Sequence, residues 1–147
     1  MVREGKGWKV ASLSEVPALG NTADIEWFKQ WDREDADPNY GERWHSVRHF
    51  LGAGGGFGIN AYETDAGREL VIEHTETGKY GDQEELYVLV EGRAKFVCDG
   101  SEIELGAGDA LYVRADVPRK AIALESPTIY VAVGGTPGAP YRHWTGT

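Results

Sequence analysis

Gln83-Glu84-Glu85-Leu86-Tyr87-Val88-Leu89-Val90-Glu91-Gly92, followed by Gly108-Asp109-Ala110-Leu111-Tyr112-Val113, is the stretch that decides the fold of this chain. In its first half Glu85, Tyr87 and Leu89 alternate with Leu86, Val88 and Val90, the period of two expected of a β-strand. Gly92 ends that strand, and Gly108-Asp109 opens another. Between them Asp99-Gly100 joins Ala94–Cys98 to Ser101–Leu105, a dipeptide suited to a tight hairpin. Working outward, the same alternation predicts strands over Trp44–Leu51, Phe57–Glu63, Glu69–Thr77, Glu85–Glu91, Ala110–Arg114, Arg119–Leu124 and Thr128–Val133. Many short strands broken by turn residues imply an all-β sandwich or barrel.

The first forty-odd residues read differently. Thr22 as N-cap, acidic Asp24 and Glu26 in the first turn, and Ile25 and Phe28 three apart predict a short helix to Trp31. Residues 32–41 are too charged and broken to be anything but an exposed loop. Gly52-Ala53-Gly54-Gly55-Gly56-Phe57-Gly58 has the glycines of a phosphate loop but lacks its lysine and its serine or threonine, and a strand follows it; it reads as a bend.

Composition narrows the function. The chain has 147 residues, enough for one domain with a sizeable core, and a net charge of −9. That charge repels phosphate backbones and anionic lipid, so neither nucleic acid nor membrane is an expected partner. A single cysteine, Cys98, excludes an internal disulfide framework and reads as core filler on the strand it shares with Phe96. No apolar run approaches membrane-spanning length, and the charged start Met1-Val2-Arg3-Glu4-Gly5-Lys6 lacks a signal-peptide apolar region, which makes the cytoplasm the expected location.

The side chains with chemistry cluster on two strands. Leu70, Ile72, His74 and Glu76 share one strand face, which runs from aliphatics into a histidine and a carboxylate. His74 and Glu76 suit an acid–base pair or two metal ligands; a polar strand end is the plain alternative. His45, His49 and His143 read as surface or internally satisfied histidines.

The Glu85 and Gly92 motif, paired with Gly108-Asp109, resembles the two motifs of the cupin superfamily. The resemblance implies a double-stranded β-helix (jelly-roll) barrel over residues 57–134. A short helical arm within 1–56 would pack on it, and 135–147 would form a tail. In that family two histidines and the glutamate of the first motif, with a histidine of the second, bind a metal. Here only Glu85 is carried over. The first-motif histidines would fall near Gly78 to Gly81, His74 lies eleven residues before Glu85, and Arg119 stands in the last position. A guanidinium offers no lone pair, so Arg119 cannot replace a ligand histidine.

The resemblance also turns Glu85 and Tyr87 towards the interior, where Arg119 is the natural counter-charge. The two make either a buried ion pair or an anchor for a small anion. The reading that follows is a homodimeric cupin without metal or cofactor. It binds a small polar or anionic organic molecule through Arg119, Glu85, Tyr87 and Ile72. One alternative is an isomerase, cyclase, lyase or metal-assisted oxygenase using His74, Glu76 and Arg119. A structural dimer whose pocket is closed by the Glu85–Arg119 pair is the other.

Overall fold

The computed structural model describes residues 2–6, 8–16, 18, 43–45, 47, 57–78 and 82–140. Eleven strands run through them: β1 (Arg3–Gly5), β2 (Trp8–Val10), β3 (Trp44–His45), β4 (Gly58–Thr64), β5 (Glu69–His74), β6 (Glu84–Glu91), β7 (Arg93–Cys98), β8 (Ser101–Gly106), β9 (Ala110–Val113), β10 (Arg119–Ala123) and β11 (Thr128–Gly135). One 3-10 turn, Leu13–Glu15, accompanies them. All pairings are antiparallel. They form a four-stranded sheet in the order β5-β10-β7-β8, a five-stranded sheet in the order β3-β4-β11-β6-β9, and a separate β1-β2 ribbon.

Alternation dictates the core. On β10 Arg119, Ala121 and Ala123 are buried while Lys120 and Ile122 are exposed; on β6 Tyr87 and Leu89 are buried while Leu86 and Val90 are exposed. The two inner faces meet through aromatic rings. Tyr87 of the larger sheet lies 5.2 Å from Phe96 of the smaller, and 5.6 Å from Tyr130 beside it. Tyr62 stacks on Tyr130 at 6.1 Å, so four large rings fill the space between the sheets. Such pairs add about 0.5–1.5 kcal/mol each beyond the area they bury. The result is a jelly-roll sandwich with little helix among the described residues.

Sequence-based boundaries hold for most strands and fail where side chains or backbone bonds intervene. β5 stops at His74 rather than running to Thr77, because its ladder partner β10 begins at Arg119 after Pro118, which has no N–H to extend the pairing. Beyond His74 the chain is held otherwise, by Glu76 N to Ala115 O at 2.9 Å and Gln83 N to Glu76 O at 3.2 Å. Of the strand expected over Trp44–Leu51, Trp44–His45 forms β3 and Val47 is helical, while residues 46 and 48–51 lie outside the described residues. The helix expected over 22–31, the loop over 32–41, glycines 52–56, His49 and His143 also lie outside them. The β1-β2 ribbon was not foreseen. His45 is the internally satisfied histidine expected, its Nδ1 lying 2.6 Å from the Val16 carbonyl.

Two features shape the site. Register shifts between β5 and β10, bracketing Ala121, crowd extra β5 residues against their partner strand and bury Leu70, Val71 and Ile72 in succession. At the other end of the sandwich, Gly92 turns from β6 into β7 with φ +80°, and a Cβ there would collide with Thr128 Oγ1 and sit 2.6 Å from the Pro127 carbonyl. Gly92→Ala therefore combines left-handed strain with backbone collision and is expected to cost about 2–5 kcal/mol. Gly100→Ala, at φ +81° with nothing within 4 Å, carries the strain alone and should cost about 1–2 kcal/mol. Urea denaturation of the two variants measures the difference, and equal losses would show that crowding at Gly92 is relieved.

Candidate functional site

Where β5, β6 and β10 end together, five of the six residues named from sequence come into one cluster. His74 and Arg119 are register partners across β5 and β10, and Glu85 faces them from the opposing sheet. His74 Nε2 lies 2.9 Å from Glu76 Oε1 and 3.8 Å from Glu85 Oε2. Arg119 Nε lies 4.0 Å from the same Glu85 oxygen, which also accepts a short hydrogen bond from the Tyr87 hydroxyl. Ile72 contributes differently from expectation: its side chain is in the core, while its carbonyl takes the His74 Nδ1 bond at 2.5 Å.

That carbonyl fixes the proton inventory. A carbonyl only accepts, so His74 Nδ1 carries a hydrogen, and the Nε2···Oε1 contact needs a second proton to be a hydrogen bond. Burial works against a charged His74, but the bond to Glu76 and the charges of Glu76 and Glu85 outweigh it and hold the imidazole above its ordinary range. Glu85 is pushed up by burial and by the nearby Glu76 carboxylate, against the pull of His74, the Tyr87 hydroxyl and Arg119. Burial and the Glu85 charge raise Tyr87 well above an ordinary phenol, so it stays a neutral donor.

Arg119 is the most unusual member. Its exposure is 0%. Nη2 donates to the Arg114 carbonyl at 2.8 Å, while Nε and Nη1 have no hydrogen-bond partner among the described residues. The polar groups around it remain partly open, with side-chain exposures of 16% for His74, 12% for Glu76 and 18% for Glu85. The cluster is thus a shallow rim over a filled aromatic interior.

Sequence reasoning missed the supporting parts. The Arg114 and Ala115 carbonyls, which hold Arg119 and the Glu76 backbone, are invisible in composition. Gly134 lies opposite Glu85 on β11, and a Cβ there would stand 3.3 Å from Glu85 Cγ and 3.0 Å from the Glu84 carbonyl. The run Val133-Gly134-Gly135 was a readable sign of that close approach. Cys98, the other register partner of Arg119, packs against the core; burial raises its thiol and Arg119 draws it part of the way back.

Among the described residues, His74, Glu76 and Glu85 are the group whose potential metal-binding atoms converge, all within 4.8 Å of one another. They do not fit the ion that the resemblance implied. The set has one nitrogen donor, already bonded to Glu76, and the Glu85 carboxylate already has the Arg119 guanidinium as its counter-charge. A divalent ion would add charge beside a fixed cation that cannot move its proton away. Protein purified without an affinity tag is expected to carry well under one equivalent of iron, manganese, nickel, copper or zinc. A chelator should leave its melting temperature unchanged; a full equivalent in elemental analysis would overturn this.

The raised His74 has a consequence for stability. The folded state binds this proton more tightly than the unfolded chain, so its contribution is complete below about pH 6.5 and is lost as pH rises through the folded value. The melting temperature should fall as pH rises above about 6.5, and His74→Gln should flatten that fall. An unchanged slope in the variant would assign the titration to another group.

Comparison with known proteins agrees with this architecture. A family model described as "Cupin domain" matches residues 72–134, which contain the whole cluster. A cupin protein from Bacteroides fragilis is similar in structure, with TM-score 0.54 and 25% identity over 63% of this chain and 75% of that one. KdgF from Halomonas sp. aligns with TM-score 0.49 and 18% identity over 54% of this chain and 68% of that one. An RmlC-like cupin from Desulfovibrio desulfuricans aligns with TM-score 0.48 and 23% identity over 54% and 72%. No curated protein matches the sequence. The two-sheet topology, the Glu85 motif and the matched region agree, and residues 72–134 form a cupin domain.

Proposed function

We propose that the rim cluster binds a small anionic organic molecule, held by Arg119, without a metal. The observation that carries this reading is the pair of unpartnered donors on a side chain with no exposed surface. Each buried donor left without an acceptor costs about 1–3 kcal/mol, and more on a charged group. Glu85 does not remove that cost: at 4.0 Å it neutralises the guanidinium without bonding to it. A carboxylate or enolate oxygen supplies the missing acceptor. The partial exposure of His74, Glu76 and Glu85 supports a ligand that approaches across the end of the sandwich and displaces these side chains to uncover the Arg119 donors.

The filled interior favours a second reading, in which the cluster is structural and the ring packing of Tyr62, Tyr87, Phe96 and Tyr130 closes the site. One titration separates the two. Thermal shift and calorimetry against a panel of small carboxylates should find compounds that stabilise the wild type by several degrees at millimolar concentration. Arg119→Lys keeps the charge but loses the planar donor set, and should weaken these compounds at least about tenfold while the protein stays folded. Absence of any stabilising carboxylate would favour the structural reading, and equal affinity in Arg119→Lys would remove Arg119 as the anchor.

A further inference from the structure

We propose that the cluster catalyses reversible proton removal from the carbon next to a carbonyl, with enolisable 2-oxo acids as the substrate class. This rests on the reading of Arg119 as a carboxylate anchor.

Three requirements meet at one point. The reaction needs a base close to the substrate carbon, a donor for the oxygen that becomes negative, and an anchor that holds the acid in register. Glu85 is the base. It is the most open of the three polar residues, and its Oε2 is shared between the Tyr87 hydroxyl and the Arg119 side, which leaves Oε1 for the substrate. His74 Nε2 stands 3.8 Å from Glu85 and carries the hydrogen it shares with Glu76 at 2.9 Å. Its Nδ1 bond to the Ile72 carbonyl prevents the ring from turning away. Arg119 supplies the anchoring cation, with Nε facing the same Glu85 oxygen.

The step balances within these groups. The Glu85 carboxylate takes a proton from C3 of the 2-oxo acid. The C–H electron pair becomes the C2–C3 double bond, and the carbonyl pair moves onto the C2 oxygen, where the Nε2–H of His74, in a bifurcated hydrogen bond shared with Glu76, supports the enolate. Return of a proton from Glu85 to C3 regenerates the acid, and exchange of Glu85 with solvent in between replaces the substrate hydrogen. Nothing is oxidised or reduced. Burial and the neighbouring Glu76 carboxylate raise Glu85 above its ordinary range, which makes it a stronger base than a solvated carboxylate. His74, Glu76, Tyr87 and Arg119 are the titratable or charged groups that face it.

The test is deuterium exchange of pyruvate and 2-oxobutyrate in D2O, followed by loss of the C3 proton signal in NMR, with binding measured in parallel. Wild-type protein is expected to speed exchange at least a hundredfold over Glu85→Gln, and Glu85→Gln should still bind both acids. Glu85→Asp, which keeps the carboxylate but withdraws it by one carbon, should retain binding and lose at least tenfold in exchange; it serves if Glu85→Gln does not fold. Binding without exchange above the buffer rate, or exchange undiminished in both Glu85 variants, would overturn proton transfer and leave the anchor reading standing. Failure of the wild type to bind either acid, or any other small carboxylate, would overturn the anchor and this proposal with it.

Discussion

A guanidinium with no exposed surface has lost its hydration, and the structure around it must return that loss through acceptors and counter-charge. Arg119 meets this demand in part. One nitrogen reaches the Arg114 carbonyl, Glu85 stands at ion-pair distance, and two donors are left over. The rest of the site is arranged around that deficit. Glu85 is held between a phenol and a cation; Glu76 shares the proton of His74; His74 is tethered to its own strand. Remove the guanidinium and Glu85 loses its fixed counter-charge on a partly buried rim it shares with Glu76 and His74.

The aromatic layer beneath supports this cluster mechanically. Tyr87 belongs to both, since its ring packs on Phe96 and Tyr130 while its hydroxyl reaches Glu85. Packing that fixes the ring therefore also fixes one end of the hydrogen-bond chain. The geometry of the rim is inherited from the core rather than from flexible surface side chains, which is the kind of support that precise proton chemistry requires.

Much of this was readable in the chain itself. Period-two alternation placed seven strands close to their observed bounds, and Asp99-Gly100 marked its hairpin because both residues adopt positive φ there. The faces of β6 and β10 were readable for the same reason, and they bring Glu85 and Arg119 towards each other. What remained hidden depended on long-range contacts. The end of β5 is set by a proline on another strand, and the Arg119 tether is a backbone carbonyl with no sequence signature. The register shifts beside Ala121 bury three consecutive residues, which no alternating pattern forecasts. Glu76 joined the cluster as expected, but from a loop rather than the strand assigned to it.

Cys98 gives the site an intrinsic reporter. It is the only cysteine in the chain, it is partly buried, and its neighbour across the β7–β10 ladder is Arg119. A small fluorinated or nitrile label on that sulfur would sit in the field of the guanidinium without any change to the sequence. Its spectroscopic frequency would then follow the charge around Arg119 directly, separating occupancy of the rim from global changes in the fold.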